Sequence, residues 1–168
     1  MKKTVRLKPR PLSADAFRPF GDVVEIKNKA PKLINENHTR RYHDLAAIDT
    51  AQNNGKPLLS IFRARPLPLP MRVRFLERHP LSSQAFHPLR GAPYLVLVAP
   101  PGETIRPGDL QFFRAAGDQG VNYHRGVWHH YLLALDAESD FLVVDRGGEE
   151  KNCDEFYFSE EWEIFLER

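Results

Sequence analysis

The chain has 168 residues, 42% of them hydrophobic and 27% charged, which is enough for one domain (residues 1–168) with a buried core. Net charge is +2 with the histidines neutral. The basic residues are dispersed, locally dense only at residues 6–10 and 27–32, which sets nucleic acid aside as the main partner.

One cysteine, Cys153, leaves no internal disulfide to form, and a reducing cytosol is the expected compartment. The opening MKKTVRLKPRPLS carries charge but no apolar stretch behind it, so no signal peptide is expected. The longest apolar run, residues 94–99, is far too short to span a bilayer. A cytoplasmic protein without a membrane segment is the expectation.

Fourteen prolines and ten glycines cut the chain into short pieces, which favours strands over long helices. Residues 12–20 form the best helix candidate, with Ser13 as N-cap and Phe17 and Phe20 on one side. A short strand over 23–26 and a polar loop over 27–40 follow. From 58 the pattern becomes strand and turn: strands over 58–65, 84–86, 94–99, 105–113, 131–135 and 141–144, with a stiff proline connector over 65–70. Period-two spacing puts Val73, Phe75, Glu77 and His79 on one face. The aromatic, acidic tail over 155–168 reads as a last helical turn or two capped by Ser159, its aromatic side chains available to a partner subunit. Seven or more short strands indicate a mainly all-β sandwich or barrel with a few short helices.

The chemistry concentrates in two stretches. In the first, Glu77 and His79 point inward with Val73 and Phe75, and Gln84 returns after a short turn. A buried carboxylate beside an imidazole must be paired, hydrogen-bonded or metal-bound, because a lone buried charge costs several kcal/mol. The second, residues 120–135, crowds His124, Arg125, Trp128, His129 and His130 against an apolar run, with a glycine turn at Gly126 delivering His129. Two imidazoles with carboxylate or amide oxygens suit a first-row divalent ion such as Ni, Mn, Fe, Co or Zn. By the same alternation Arg72, Arg74, Arg78 and His130 face outward, His87 leans outward, and Trp128 is a packing residue.

The spacing resembles a degenerate cupin signature. Glu77-x-His79, four residues, Gln84, six residues and Gly91 follow the first cupin motif, with Glu77 in place of its first His and Gln84 in place of its Glu. His124-x-Gly126-x-x-His129 follows the second without its Pro. The wording of several segments resembles one cupin family more closely, ureidoglycolate lyase. They are RYHDLA at 41–46, ERHP at 77–80, SQAF at 83–86, GVNYHRGVWHH at 120–130, FLVVDR at 141–146 and NCDE at 152–155. Ser82, Asn37 and Tyr131 depart from the family's usual pattern at turn or lining positions.

The resemblance implies a cupin-like double-stranded β-helix, or jelly-roll barrel, and a homodimer. It implies cleavage of (S)-ureidoglycolate to glyoxylate and urea, in the breakdown of allantoin and purines. Under it His79, Gln84 and His129 are metal ligands, with Glu77 a fourth ligand or the base. Glu77 or His124 moves protons, and Arg63, Tyr123 and Arg125 hold the anionic substrate. The implied cofactor is a divalent metal ion, nickel by family expectation, with a metal-free site as the other option. The competing reading is a cupin that binds another small hydroxy or keto acid, with or without catalysis. Cys153 has no histidine beside it in sequence and reads as a loop thiol rather than a nucleophile.

Overall fold

The computed structural model describes residues 2–168, built almost wholly of strands in stacked sheets. Why the chain layers this way is visible in Tyr94–Ala99, which is buried at all six positions. A strand covered on one side alternates apolar with polar; one covered on both faces reads as continuous apolar sequence. Tyr94, Val96 and Val98 face one core with Phe17, Phe86, Phe113, Val121, Tyr123 and Phe141. Leu95, Leu97 and Ala99 face a second core with Leu76, Phe112, Trp128, Ile164 and Leu166.

Tyr94–Ala99 is therefore the middle of the molecule. Its sheet runs in the order Asp154–Tyr157, Phe75–Arg78, Trp128–His129, Tyr94–Ala99, Gln111–Ala115, Arg10–Pro11, with Leu133–Ala134 also paired to Tyr94–Ala99. On the first core lies a five-stranded sheet: Gly21–Val24, Gly120–Tyr123, Gln84–Pro88, Ser139–Gly147 and Lys56–Ala64. On the second lies a three-stranded sheet of Lys3–Leu7, Trp162–Leu166 and Met71–Val73. The all-β expectation holds in the form of a layered sandwich. Among the described residues no sheet closes on itself, so the fold is not a closed barrel.

Several local expectations change. The helix is one turn, Ala14–Phe17, capped as anticipated by the Ser13 hydroxyl, which accepts from the Ala16 N–H at 3.3 Å. The polar loop contains a hairpin, Lys32–Ile34 with Thr39–Arg41. Residues 105–113 hold a 3₁₀ turn, Pro107–Asp109, before the strand. The tail is two strands rather than helix, and Phe156, Phe158 and Trp162 pack against their own chain's second core. Trp162 sits opposite Lys3, so sheet pairing decided the tail's conformation over the local cap.

Val73 does not share a face with Glu77. The chain changes sheet at Arg74: Val73 pairs with Ile164 in the three-stranded sheet, whereas Phe75 opens the next strand opposite Tyr157. The alternation holds only from Phe75 onward.

Candidate active site

Four strands and the turns beside them build the site. Glu77 lies directly opposite His129 in antiparallel register, and His129 lies opposite Val98. Directly opposed residues share a face, so all three point into the first core, where Val98 is buried. Gly126 makes the turn that starts this delivery. Its φ of 77° favours a residue without Cβ, and its N–H donates to the His79 carbonyl at 3.0 Å, locking the two stretches together.

Glu77, His79 and His129 each offer a ligating atom within 4.8 Å of the others. Gln84, buried at the start of its strand, brings its Oε1 to 3.0 Å from His79 Nε2. The Tyr123 ring stacks on His129 at 4.2 Å with 7° between planes. These five side chains form one buried polar island between two sheets.

The protonation pattern follows from the backbone. His79 Nδ1 lies 2.6 Å from the Asn152 carbonyl and His129 Nδ1 lies 3.1 Å from the His130 carbonyl. A main-chain carbonyl can only accept, so both Nδ1 atoms carry the proton and both Nε2 atoms are left with a lone pair when the ring is neutral; the Gln84 amide beside His79 Nε2 is free to turn over and present its NH2 there. Burial, reinforced by the nearby His79 charge, drives the His129 pKa down to about 3 and keeps that ring neutral. Its Nε2 is buried with no hydrogen-bond partner, an arrangement that costs about 1–3 kcal/mol unless something binds there. Burial also raises the Glu77 pKa, against the pull of His79 and with the Glu155 charge adding to the rise.

These groups fit a divalent cation. His79 Nε2 beside the Gln84 amide and the partnerless His129 Nε2, with the Glu77 carboxylate in the same cluster, are a set of acceptors with too few donors, which a cation would satisfy. The second-sphere carbonyls at both Nδ1 positions are the usual support of a ligating histidine.

The other anticipated residues fall elsewhere. Arg63 lies on the outside of the five-stranded sheet, because it shares the outward parity of exposed Leu59 and Ile61. There its guanidinium donates to both Asp140 oxygens, at 2.7 and 3.0 Å. His124 follows the last residue of its strand, and its Nε2 pairs with Asp22 Oδ2 at 3.0 Å. Asp22 and its register partner Asn122 alternate with core residues Val23, Val121 and Tyr123, so this pair is also outside. Arg125 lines a cavity of about 300 Å³ with Ala47, Asp49, Ser83 and His124, its Nε 3.6 Å from Asp49 Oδ2. The structure thus brings Glu77, His79, Gln84, His129 and Tyr123 together and leaves Arg63, His124 and Arg125 outside the island, the last two lining one cavity with Ser83, the neighbour of Gln84 in sequence.

Two further anticipated roles change, those of His130 and Arg78. His130 is buried, stacked on Phe75 and with Nδ1 toward the Tyr131 carbonyl. The strand breaks after His129, so simple alternation no longer applies. Arg78 is mostly covered, lying 4.6 Å over the Trp128 ring and donating to Asp154 and the Gly102 carbonyl. Cys153 sits 4.0 Å from Glu77, and burial with the surrounding carboxylates raises its pKa, which disfavours the thiolate.

A family model described as Ureidoglycolate lyase matches residues 4–165. The chain belongs to the ureidoglycolate lyase family. A ureidoglycolate lyase of Pseudomonas paraeruginosa is 52% identical over 161 residues, 96% of this chain and 95% of that one. Those of Stutzerimonas stutzeri and Azotobacter vinelandii are 51% and 52% identical, covering 94% of this chain and 92% and 95% of theirs. Among solved structures the chain is similar to WlaRA, a TDP-fucose-3,4-ketoisomerase of Campylobacter jejuni. That likeness has a TM-score of 0.37 and 14% identity, covering 77% of this chain and 82% of that one. Members of the ureidoglycolate lyase family are cupins, and the island described above occupies the two stretches in which this chain follows the cupin spacing.

Asn152 and Glu155 are parts of the site that spacing did not single out. Their segment resembles the family, but nothing in its residue types announced that a main-chain carbonyl would hold His79.

Proposed function

We propose that the chain is a carbon–nitrogen lyase that converts (S)-ureidoglycolate to glyoxylate and urea. Its membership of the family supports the substrate. The observation that carries the chemistry is the convergence of Glu77, His79, Gln84 and His129, with each imidazole Nδ1 held by a main-chain carbonyl.

The substrate carbon bears a carboxylate, a hydroxyl and a ureido nitrogen. Cleavage removes the hydroxyl proton, turns C–O into C=O, breaks C–N, and returns a proton to the departing urea nitrogen, with no water consumed. Glu77 suits both proton steps. Its raised pKa brings it nearer to working pH, where a carboxyl group can accept and then release a proton. Tyr123 is pushed up by burial and by the Glu77 charge, so its phenol stays protonated and is available to donate to substrate oxygen. Arg125, in the cavity lined by Ser83, holds the substrate carboxylate.

A divalent ion, nickel by family expectation, would be held by His79, Gln84 and His129 with Glu77 alongside, and would acidify the substrate hydroxyl. His124 and Arg63 take no part in this reading, each being hydrogen-bonded to a carboxylate, at 3.0 and 2.7 Å, whereas Arg125 stands off its Asp49 partner at 3.6 Å.

The chain acts as a homodimer in the cytosol in the same reading. The outer face of the five-stranded sheet carries Leu59 and Ile61, 73% and 56% exposed. They lie opposite Val144 and Leu142 in register, giving an apolar face across neighbouring strands that a second copy can cover. No helix among the described residues is long and apolar enough to cross a membrane.

Incubating the purified chain with (S)-ureidoglycolate tests the reaction. Glyoxylate and urea should appear in equal amounts, well above spontaneous decay. Tight binding of the substrate without product release would mark a metabolite-binding cupin instead.

A further inference from the structure

Asn152 has no role in the reaction described, yet it makes three hydrogen bonds to the turn that presents His79. Its main-chain carbonyl accepts the His79 Nδ1–H at 2.6 Å. Its side-chain Oδ1 accepts the Leu81 N–H at 2.8 Å, and its Nδ2 donates to Ser82 Oγ at 2.8 Å. Ser82 and Ser83 are almost fully buried, so the turn has no water to replace these partners. Two residues on, Asp154 accepts from Arg78 at 3.0 Å, which pins the same segment along the strand that carries Glu77.

We propose that Asn152 is a positioning residue that fixes His79 as its Nδ1–H tautomer and so reserves Nε2 for the site. In the opposite tautomer a bare Nδ1 would face a fixed main-chain carbonyl oxygen at 2.6 Å, two lone pairs in contact, whereas the Gln84 side-chain amide 3.0 Å from Nε2 can turn over to offer its NH2 and so imposes no tautomer. The two side-chain bonds keep that carbonyl in place by tying Asn152 to the turn on which His79 is mounted. The residue acts through His79 and touches no substrate. The proposal rests on His79 being a member of the reactive island.

Uniform ¹⁵N-histidine labelling and long-range ¹H–¹⁵N correlation at alkaline pH, on chelated protein without substrate, read the tautomer directly. The His79 signals are assigned from their loss in His79→Gln. The wild-type chain should show His79 protonated on Nδ1. Asn152→Ala should give a tautomer mixture and bind Ni²⁺ about 10–100-fold more weakly by calorimetry, the usual effect of losing a ligand's outer support. Asn152→Asp should restore the single tautomer. Its carboxylate still accepts from Leu81, and the Ser82 hydroxyl can turn to donate to it.

An Nε2–H tautomer in the wild-type chain overturns the proposal without any variant. So does Asn152→Ala with unchanged tautomer and Ni²⁺ affinity, or Asn152→Asp no better than Asn152→Ala. Failure of the underlying site reading looks different: His79→Gln would then bind Ni²⁺ as the wild-type chain does.

Discussion

Glu77 and His129 face each other across two antiparallel strands, Oε1 3.9 Å from Nδ1, in the space between two sheets. One is a partly buried carboxylate and the other a fully buried imidazole held neutral. Each would be a liability in a core built only for stability, and together they define what the fold is arranged to hold.

His129→Ala should reduce turnover to near the spontaneous rate while the chain stays folded. Removing a fully buried ring stacked on Tyr123 leaves a cavity, with a stability loss of about 2–4 kcal/mol. Glyoxylate release and a circular-dichroism melt check both parts. Near-normal kcat in the folded variant would take His129 out of the site.

Glu77→Gln should exchange activity for stability. The unfolded carboxyl titrates near 4.5 and burial raises the folded value. The acid form is therefore the one the fold prefers: stability is greatest below 4.5 and falls as pH rises through the folded pKa. In chelated protein at neutral pH the variant should melt above wild type, and the gap should close in acid while turnover is lost. A variant that melts below wild type at neutral pH contradicts this.

Buried His129 and His130 should make the protein acid-sensitive. Their folded pKa values, about 3 and about 4, lie below the ordinary 6.5, chiefly through burial. Both contributions are complete above 6.5 and are lost as pH falls toward the folded values, because the unfolded chain takes up protons that the fold refuses. His130→Asn should lose less stability than wild type between neutral pH and pH 5, measured by urea unfolding at each pH. Equal losses would show that His130 is not held neutral by the fold.

Arg125→Ala should raise KM about tenfold with kcat little changed, since ground-state and transition-state carboxylates are held alike. An unchanged KM would assign the anion anchor to another residue.

How much of this was legible in the sequence depends on which physical signal carried it. The pairing of Glu77-x-His79 with His129 was legible because strand alternation and a glycine turn are local rules. Val73 does not belong to that face, because the chain switches sheets at Arg74. The double burial of Tyr94–Ala99 was present as an unbroken apolar run, though not which two cores it would divide. Arg63 and His124 were misplaced for a common reason: residue type advertised charge, while the partners that bind them, Asp140 and Asp22, lie 77 and 102 residues away in sequence. The tail followed its strand partners rather than its cap signal. Main-chain acceptors such as the Asn152 carbonyl leave no mark in sequence at all.

We propose that the Glu77, His79, Gln84 and His129 island breaks the C–N bond of ureidoglycolate with the help of a divalent ion. The most direct test is the initial rate of glyoxylate and urea release by the purified chain, before and after exhaustive chelation and again after a divalent ion is restored. The rate should vanish on chelation and return with nickel or a related ion. Full-rate release by the chelated protein would contradict the account.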